Sequence, residues 1–222
     1  VLNVTERADG YLRGRDTLIS WCIGHLVELA LPEAYDPKYV RWRYKDLPIL
    51  PAQWQYNVSE ATKKQFGVLK SLMNDERVTG IICATDAGRE GELIFRLVYE
   101  KAGCQKPVRR LWISSMEESA IRDGLRSMKS MSDYDNLYRA ALCRSQADWL
   151  IGMNATRAYT IRYGVLLSIG RVQTPTLSML VRRRREIDAF VPQVYYLVNA
   201  DFGDYKGVYI DAKGEKKIAT EE

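Results

Sequence analysis

Three carboxylates within one short stretch could hold a metal ion. Asp86, Glu90 and Glu92 fall within seven consecutive positions of the segment TDAGREGE. Carboxylate oxygens that converge on one loop suit a hard cation such as Mg²⁺, which prefers oxygen ligands and keeps some of its water. An acid-rich turn can equally be a solvated surface. The stretch therefore makes a magnesium site a hypothesis that other parts of the chain must support.

The residues on either side predict how the protein positions these acids. An apolar run at 81–84 precedes them, and apolar residues follow at helical spacing: Leu93, Ile94, Leu97 and Val98. This pattern predicts a buried strand, a loop and a helix. Ligands of open α/β sheets bind at the carboxyl ends of strands, and helix N-termini favour negative side chains. We therefore expect the acids at a ligand-binding edge.

Basic charge is concentrated in the middle of the chain. The 222 residues have a formal net charge of +5, but residues 101–188 alone carry +8, and the segments before and after carry −1 and −2. Because phosphates are bound through Lys and Arg, a segment of one sign predicts a polyanionic partner. The hydrophobic content of 46% supports a folded core.

The composition also excludes several classes of protein. No apolar run approaches the roughly 20 residues of a membrane helix, so we expect no membrane partner. The four cysteines are scattered without a Cys-x-x-Cys motif, and His25 is the only histidine. A zinc site is therefore not expected, and free thiols in a reducing cytoplasm are predicted.

One long helical pattern carries a possible nucleic-acid contact. It covers residues 133–163, and within it Arg144 and Asp148 are four positions apart. Side chains at this spacing share a helix face and can pair. Such pairs are common on protein surfaces, so this pair alone is a weak signal.

A second basic stretch, SIGRVQTPT, begins at Ser168. Gly170 allows close approach of the backbone, and Arg171 and Gln173 supply hydrogen-bond donors. Thr174 is predicted to cap a helix that has Pro175 at its first position. The free N–H groups of a helix N-terminus beside cations suit a phosphate.

Other elements follow from periodicity and turn residues. The sequence predicts strands at 18–23, 40–45 and 108–113, helices at 60–73 and from a capping box at Ser114–Ser115 to about 129, and a hairpin within 194–222. The alternation of aromatic and basic residues at 40–45 fits either a solvated face or base stacking. The arginines at 182–185 likewise fit a solvated face or a contact with DNA.

TDAGREGE resembles the acidic motif of the Toprim domain in type IA DNA topoisomerases, in their topoisomerase III-like form. The family pattern is Asp-x-Asp-x-Glu, in which Asp86 matches the first acid and Glu90 the last. Gly88 stands at the middle acid, which leaves fewer ligands and favours one Mg²⁺ over two. The Gly-His-Leu at 24–26, the Arg-x-x-x-Asp helix and the Gly-Arg-Val-Gln turn resemble further motifs, in family order.

The resemblance implies a fold of three parts. An α/β Toprim (Rossmann-like) domain that lacks its first strand is expected over 1–106, and a mainly α-helical DNA-binding domain over 107–192. The first β-strands of a β-rich gate domain are expected over 193–222.

The resemblance also assigns roles to residues. Mg²⁺ would be held by Asp86, Glu90 and Glu92. The catalytic residues would be Glu90, His25 and Arg110, with Arg110 facing the scissile phosphate and Arg109 as the alternative. The single strand would be held by a polar set that comprises Arg144, Asp148, Ser168, Arg171, Gln173 and Thr174.

The family reaction is cleavage of one DNA strand by a tyrosine through a 5′-phosphotyrosyl link, followed by strand passage and rejoining. It relaxes negative supercoils and decatenates DNA. The implied partners are single-stranded and negatively supercoiled DNA and the remaining domains of the same enzyme, in the cytoplasm with the nucleoid. None of the 14 tyrosines lies in a Tyr-Pro-Arg-Thr motif. We therefore expect the chain to be part of the enzyme and not to cleave DNA alone. Alternatives are a Toprim metal-dependent nuclease or primase, and a non-catalytic single-strand-binding module.

Overall fold

The computed structural model describes residues 4–219. The chain forms two compact units that divide after Arg171, and each is described by itself. The first unit contains the acidic stretch and the long helix. The second contains the segment from Val172 onward.

The first unit opens with an antiparallel sheet. Its strands are β1 (Val4–Ala8), β2 (Tyr11–Gly14) and β3 (Leu18–Ser20), in that order across the sheet. The strand predicted at 18–23 is therefore confirmed in its first half. A second antiparallel pair joins β4 (Val27–Leu29) to β5 (Tyr56–Val58).

The edge strand predicted at 40–45 is wrong. Short 3-10 helices at Pro37–Val40 and Tyr44–Asp46 occupy this segment. Local hydrogen bonds explain the difference: the side chain of Asp36 accepts from the backbone N–H of Lys38 at 2.8 Å, and the first of these helices begins with a proline. Such contacts within a few residues compete with a sheet ladder and override the alternating pattern.

The acidic stretch lies in a strand–loop–helix unit, as predicted. Helix α1 (Lys63–Asn74) is followed by β6 (Ile81–Cys83) and helix α2 (Arg89–Ala102). Apolar residues of α2 pack into the core, which includes Leu26, Phe66, Leu93, Val98 and Ala141. The helix ends at Gly103, whose φ of 70° is the left-handed conformation that glycine adopts at little cost.

Strand β7 (Val108–Arg110) pairs in parallel with β6. The predicted boundary between residues 106 and 107 therefore separates two strands of one sheet. Helix α3 (Glu118–Arg126) leads to β8 (Lys129–Ser130), which pairs antiparallel with β7. No capping box forms ahead of α3, where the N-cap is Glu117. A capping box joins Ser130 and Asp133 instead.

The long helical pattern forms one helix, α4 (Asp135–Tyr163), of 29 residues. It packs against α2 around the buried Ala141. Trp149 secures its middle, because the indole Nε1 donates to the carbonyl of Ala30 at 2.9 Å. Among the described residues, no helix is both long and apolar enough to cross a membrane.

The second unit consists of a helix and a hairpin. Helix α5 (Gln173–Asp188) begins after Val172, which is its N-cap. The prediction of Thr174 as the N-cap is therefore wrong, because Thr174 lies in the first turn. Strands β9 (Asn199–Asp201) and β10 (Lys206–Val208) form the predicted antiparallel hairpin. That these strands begin a β-rich gate domain stays a prediction.

Candidate functional site

The segment at residues 84–90, hereafter the acidic loop, comprises the connection from the carboxyl end of β6 and the first two residues of α2. Asp86 is exposed within it, and Glu90 lies in the first turn of the helix. Gly91 determines how tightly the loop folds back, because a Cβ at this position would lie 2.2 Å from the carbonyl oxygen of Asp86. Only glycine permits this approach. A Cβ at Gly88 would meet nothing within 4 Å.

Glu90 and Glu92 are two positions apart on α2 and have opposite environments. The side chain of Glu90 is 56% exposed, whereas that of Glu92 is 0% exposed. Both oxygens of Glu92 are already bound: Oε1 by Arg96 Nε at 2.8 Å and Oε2 by Arg110 Nε at 3.0 Å. The prediction of Glu92 as a metal ligand is therefore wrong. Residues i and i+2 lie about 200° apart around a helix, so one of the two acids faces the core.

Arg110 is also buried, with 1% of its side chain exposed. Besides Glu92, it donates to four backbone carbonyls: Thr85 at 2.7 Å, Asp86 at 2.6 Å, Leu111 at 2.8 Å and Cys83 at 3.2 Å. The prediction that Arg110 faces a scissile phosphate is wrong, because no donor is directed to solvent. Successive strand residues face opposite sides, so the alternative, Arg109, is exposed and donates to the carbonyl of Met128 at 2.8 Å.

A series of exposed charges links the acidic loop to the turn at residues 164–171, hereafter the basic turn, which follows α4 and carries Arg171. We call this series the surface ion chain. His25 Nε2 lies 3.7 Å from Glu90 Oε2, and Arg144 Nη1 lies 3.9 Å from Glu90 Oε1. Arg144 Nε lies 3.8 Å from Asp148 Oδ2, and Arg171 Nε donates to Asp148 Oδ1. Five of the predicted site residues thus lie in one connected set.

Asp148 is the shared partner of two arginines. The hydrogen bond from Arg171 is the main reason that the pKa of Asp148 lies below its usual value, and the charge of Arg144 acts in the same direction. The ionised carboxylate is therefore favoured; it accepts a hydrogen bond from Arg171 and attracts the charge of Arg144. Each guanidinium group retains donors that Asp148 does not use, since guanidinium carries five.

The turn that carries Arg171 is fixed to the end of α4 by two threonines. Thr156 Oγ1 accepts from the N–H of Ile169 at 2.9 Å, and Thr160 Oγ1 accepts from the N–H of Leu167 at 3.1 Å. Sequence reasoning missed both threonines, although their i, i+4 spacing on a predicted helix was a signal. Ser168 lies in the same turn of the first unit. Gln173 and Thr174 belong to the second unit, in the first turn of α5.

Two further residues were missed, Arg96 and Asp135. Arg96 is buried on the core side of α2, and its Nη2 donates to Asp135 Oδ1 at 2.9 Å. Its position four residues after Glu92, among Leu93 and Leu97, was the available signal.

The donor set fits a magnesium ion held partly by water. In the part of the chain that the structure describes, no group of three or more His, Cys, Asp or Glu side chains could hold a metal ion. Asp86 and Glu90 nevertheless offer two exposed carboxylates. Because Mg²⁺ is usually bound through one or two carboxylates, with water and substrate phosphate completing its shell, two are sufficient.

Comparisons with known families agree with this geometry. The model of the Toprim domain matches residues 5–116, and the model described as DNA topoisomerase matches residues 132–222. The first match covers the acidic loop and both parallel strands. The second covers α4, Arg171 and the hairpin.

Individual relatives agree as well. DNA topoisomerase 3 of Staphylococcus epidermidis is 47% identical over 92% of this chain and 29% of its own length. That of Bacillus subtilis is 46% identical over 90% of this chain and 28% of its own. The structure of full-length topoisomerase I from Thermotoga maritima covers 90% of this chain and 31% of its own, with 25% identity and a TM-score of 0.62. The chain thus spans less than a third of the length of these relatives.

A parallel strand pair with acids at its carboxyl end is what the resemblance to the Toprim class implied, and the chain belongs to the Toprim family. Within that class, the resemblance to type IA DNA topoisomerases, in their topoisomerase III-like form, is confirmed.

Proposed function

We propose that this chain is the part of a type IA DNA topoisomerase that holds Mg²⁺ and grips the single strand beside the site of cleavage. One observation supports this most directly: the surface ion chain connects Glu90, in the acidic loop, to Arg171, in the basic turn. The enzyme would cleave and rejoin one strand, relax negative supercoils and decatenate DNA. Its substrates would be single-stranded and negatively supercoiled DNA in the cytoplasm.

Asp86 and Glu90 are the residues that would hold Mg²⁺. When bound, the ion supplies positive charge that offsets the negative charge of a phosphodiester. His25 Nε2 lies 3.7 Å from one carboxylate oxygen of Glu90, and Arg144 Nη1 lies 3.9 Å from the other. Both neighbours are polar and exposed, so the carboxylate remains accessible to a ligand.

Arg144 and Arg171 would contact the strand. Asp148 accepts a hydrogen bond from Arg171 and lies 3.8 Å from Arg144. The hydrogen bond reduces the side-chain freedom that Arg171 would lose when phosphate or base is bound. Ser168, in the first unit, would add a polar contact to the same strand. For Gln173 and Thr174, in the second unit, a contact with single-stranded DNA stays a prediction. The nucleophilic tyrosine would come from the remaining domains, because no tyrosine here lies in a Tyr-Pro-Arg-Thr motif.

Binding of a fluorescent single-stranded oligonucleotide tests whether Arg144 and Arg171 contact the strand. We expect Arg144→Ala and Arg171→Ala each to weaken binding about tenfold while the far-UV spectrum is unchanged. Arg122→Ala is the matched control, because Arg122 is also exposed and paired at i, i+4, with Glu118. Equal losses of affinity in all three variants would contradict a specific contact of Arg144 and Arg171 with the strand.

A second assay separates the alternatives. With Mg²⁺ and supercoiled plasmid, this chain alone should neither relax nor nick the DNA. Nicking without a covalent adduct would favour a nuclease. Binding that ignores EDTA and Asp86→Asn would favour a single-strand-binding module without a metal.

A further inference from the structure

We propose that Arg110 is a positioning residue that fixes the backbone of the acidic loop and thereby presents Asp86 for metal binding. This role differs from contact with a phosphate, which burial of the side chain prevents. The inference rests on the proposed function, since it concerns the same metal site.

The contacts of Arg110 carry the inference. Of its five acceptors, one is Glu92 and four are backbone carbonyls. Three of these carbonyls, on Cys83, Thr85 and Asp86, span the end of β6 and the start of the loop. The carbonyl of Cys83 also accepts the last ladder bond, from the N–H of Leu111 at 2.9 Å. A single rigid guanidinium therefore extends the hold on the backbone beyond the ladder, to the carbonyls of Thr85 and Asp86. With the carbonyl of Asp86 bound on the buried side, its side chain remains on the exposed side.

The surroundings of Arg110 hold it in turn. The ring of Trp112 covers the guanidinium, with its centroid 5.0 Å from Cζ, and Tyr134 stacks on Trp112 at 5.0 Å. Glu92, which pairs with Arg110, also pairs with Arg96. Arg96 has the same charge, the same partner and similar burial, but among the described residues no carbonyl of the acidic loop accepts a hydrogen bond from it. Its other acceptors are the carbonyl of Met131 and the carboxylate of Asp135.

Arg96 therefore provides a matched control. Lysine keeps the positive charge but lacks the planar fork that reaches several carbonyls at once. We expect Arg110→Lys to weaken binding of Mn²⁺ to this 222-residue chain about tenfold, the usual size of an outer-shell effect. Arg96→Lys should change it less than about twofold. Free Mn²⁺ is measured by EPR, with Mg²⁺ as competitor, at a temperature where both variants are folded.

Hydrogen exchange gives a readout that needs no metal. The N–H of Gly88 donates to the carbonyl of Asp86 at 2.9 Å. Arg110→Lys should speed hydrogen exchange of the Gly88 N–H at least about tenfold, whereas Arg96→Lys should leave its rate unchanged. Equal effects of the two lysine variants on binding and exchange would overturn the inference. Failure of the wild-type chain to bind Mn²⁺ would overturn the proposed function, and the exchange result would still decide whether Arg110 holds the loop.

Glu92→Gln keeps the inference testable if Arg110→Lys does not fold. This variant removes the ion pair but leaves the carbonyl contacts of Arg110 in place. We expect it to retain Mn²⁺ binding within about threefold. A folded Glu92→Gln variant that has lost Mn²⁺ binding would show that the ion pair, and not the hold on the carbonyls, controls the loop.

Discussion

Two ionic networks meet on helix α2, and they differ in almost every property except composition. The buried network joins Glu92 to Arg96 and Arg110, and all three side chains are at most 8% exposed. The surface ion chain runs from His25 through Glu90 to Arg171, with side chains that are 40–56% exposed. Carboxylates and arginines build both, and the surface ion chain also includes His25.

The difference shows that burial, more than residue type, decides what a charged side chain can do. A buried pair uses nearly all its donors and acceptors within the protein, because an unmatched charge there is costly. An exposed pair at 3.7–3.9 Å contributes little stability and leaves donors free for a ligand. Two acids that are two positions apart on α2 therefore have different roles: Glu92 stabilises the fold, and Glu90 remains accessible to a ligand.

The largest expected effect comes from removing the buried acid. Glu92→Ala should lower the free energy of unfolding by about 3–5 kcal/mol, because it leaves the buried Arg110 without a carboxylate and leaves Arg96 with only the partly exposed Asp135. Glu90→Ala should change it by less than about 0.5 kcal/mol. Denaturant unfolding followed by tryptophan fluorescence measures this, since all five tryptophans lie in the first unit. Similar losses of unfolding free energy in Glu92→Ala and Glu90→Ala would contradict the distinction between the buried network and the surface ion chain.

A matched pair of glycines tests the packing of the acidic loop. Gly91→Ala should cost about 1–3 kcal/mol, because its Cβ would overlap the backbone of Asp86. Gly88→Ala should cost less than about 1 kcal/mol, since its extended backbone suits any residue and the space is open. The same unfolding experiment decides. A tolerated Gly91→Ala would mean that the loop is not held against the helix.

The surface ion chain should respond to salt. Each arginine that binds a phosphate of single-stranded DNA contributes about 0.7 to the slope of log affinity against log salt. Arg144→Ala and Arg171→Ala should each reduce the slope by about this amount, and Arg122→Ala should leave it unchanged. An unchanged slope in Arg144→Ala and Arg171→Ala would show that these two arginines do not bind phosphates of the strand.

The smallest effect concerns the titration of Asp148. Because the hydrogen bond from Arg171 lowers its pKa, the stabilising contact is present above the unfolded value of about 3.9 and is lost only as pH falls through the lower folded value. NMR titration of the carboxyl carbon should give a midpoint below about 3.9, and Arg171→Ala should raise it. A normal midpoint in the unmodified chain would mean that the pair does not persist in solution.

Much of this arrangement was predictable from the sequence, and the failures have physical causes. The strand, loop and helix around Asp86 follow from periodicity, and the helical face shared by Arg144 and Asp148 follows from spacing. The burial of Glu92 and Arg110 depends on which face of α2 and which side of β7 meet the core, which TDAGREGE does not encode locally. The prediction of a strand at 40–45 was wrong because local hydrogen bonds in this segment competed with the pairing that its alternating pattern favours.

The most direct test asks whether metal and strand bind as one site. Mn²⁺ affinity of the chain is measured with and without a saturating oligothymidine, with Asp86→Asn as the blank for ions bound by DNA alone. If the acidic loop and the basic turn act on one strand, the oligonucleotide should tighten Mn²⁺ binding at least about fivefold, and Arg171→Ala should abolish the coupling. Equal Mn²⁺ affinities with and without the strand would contradict the account.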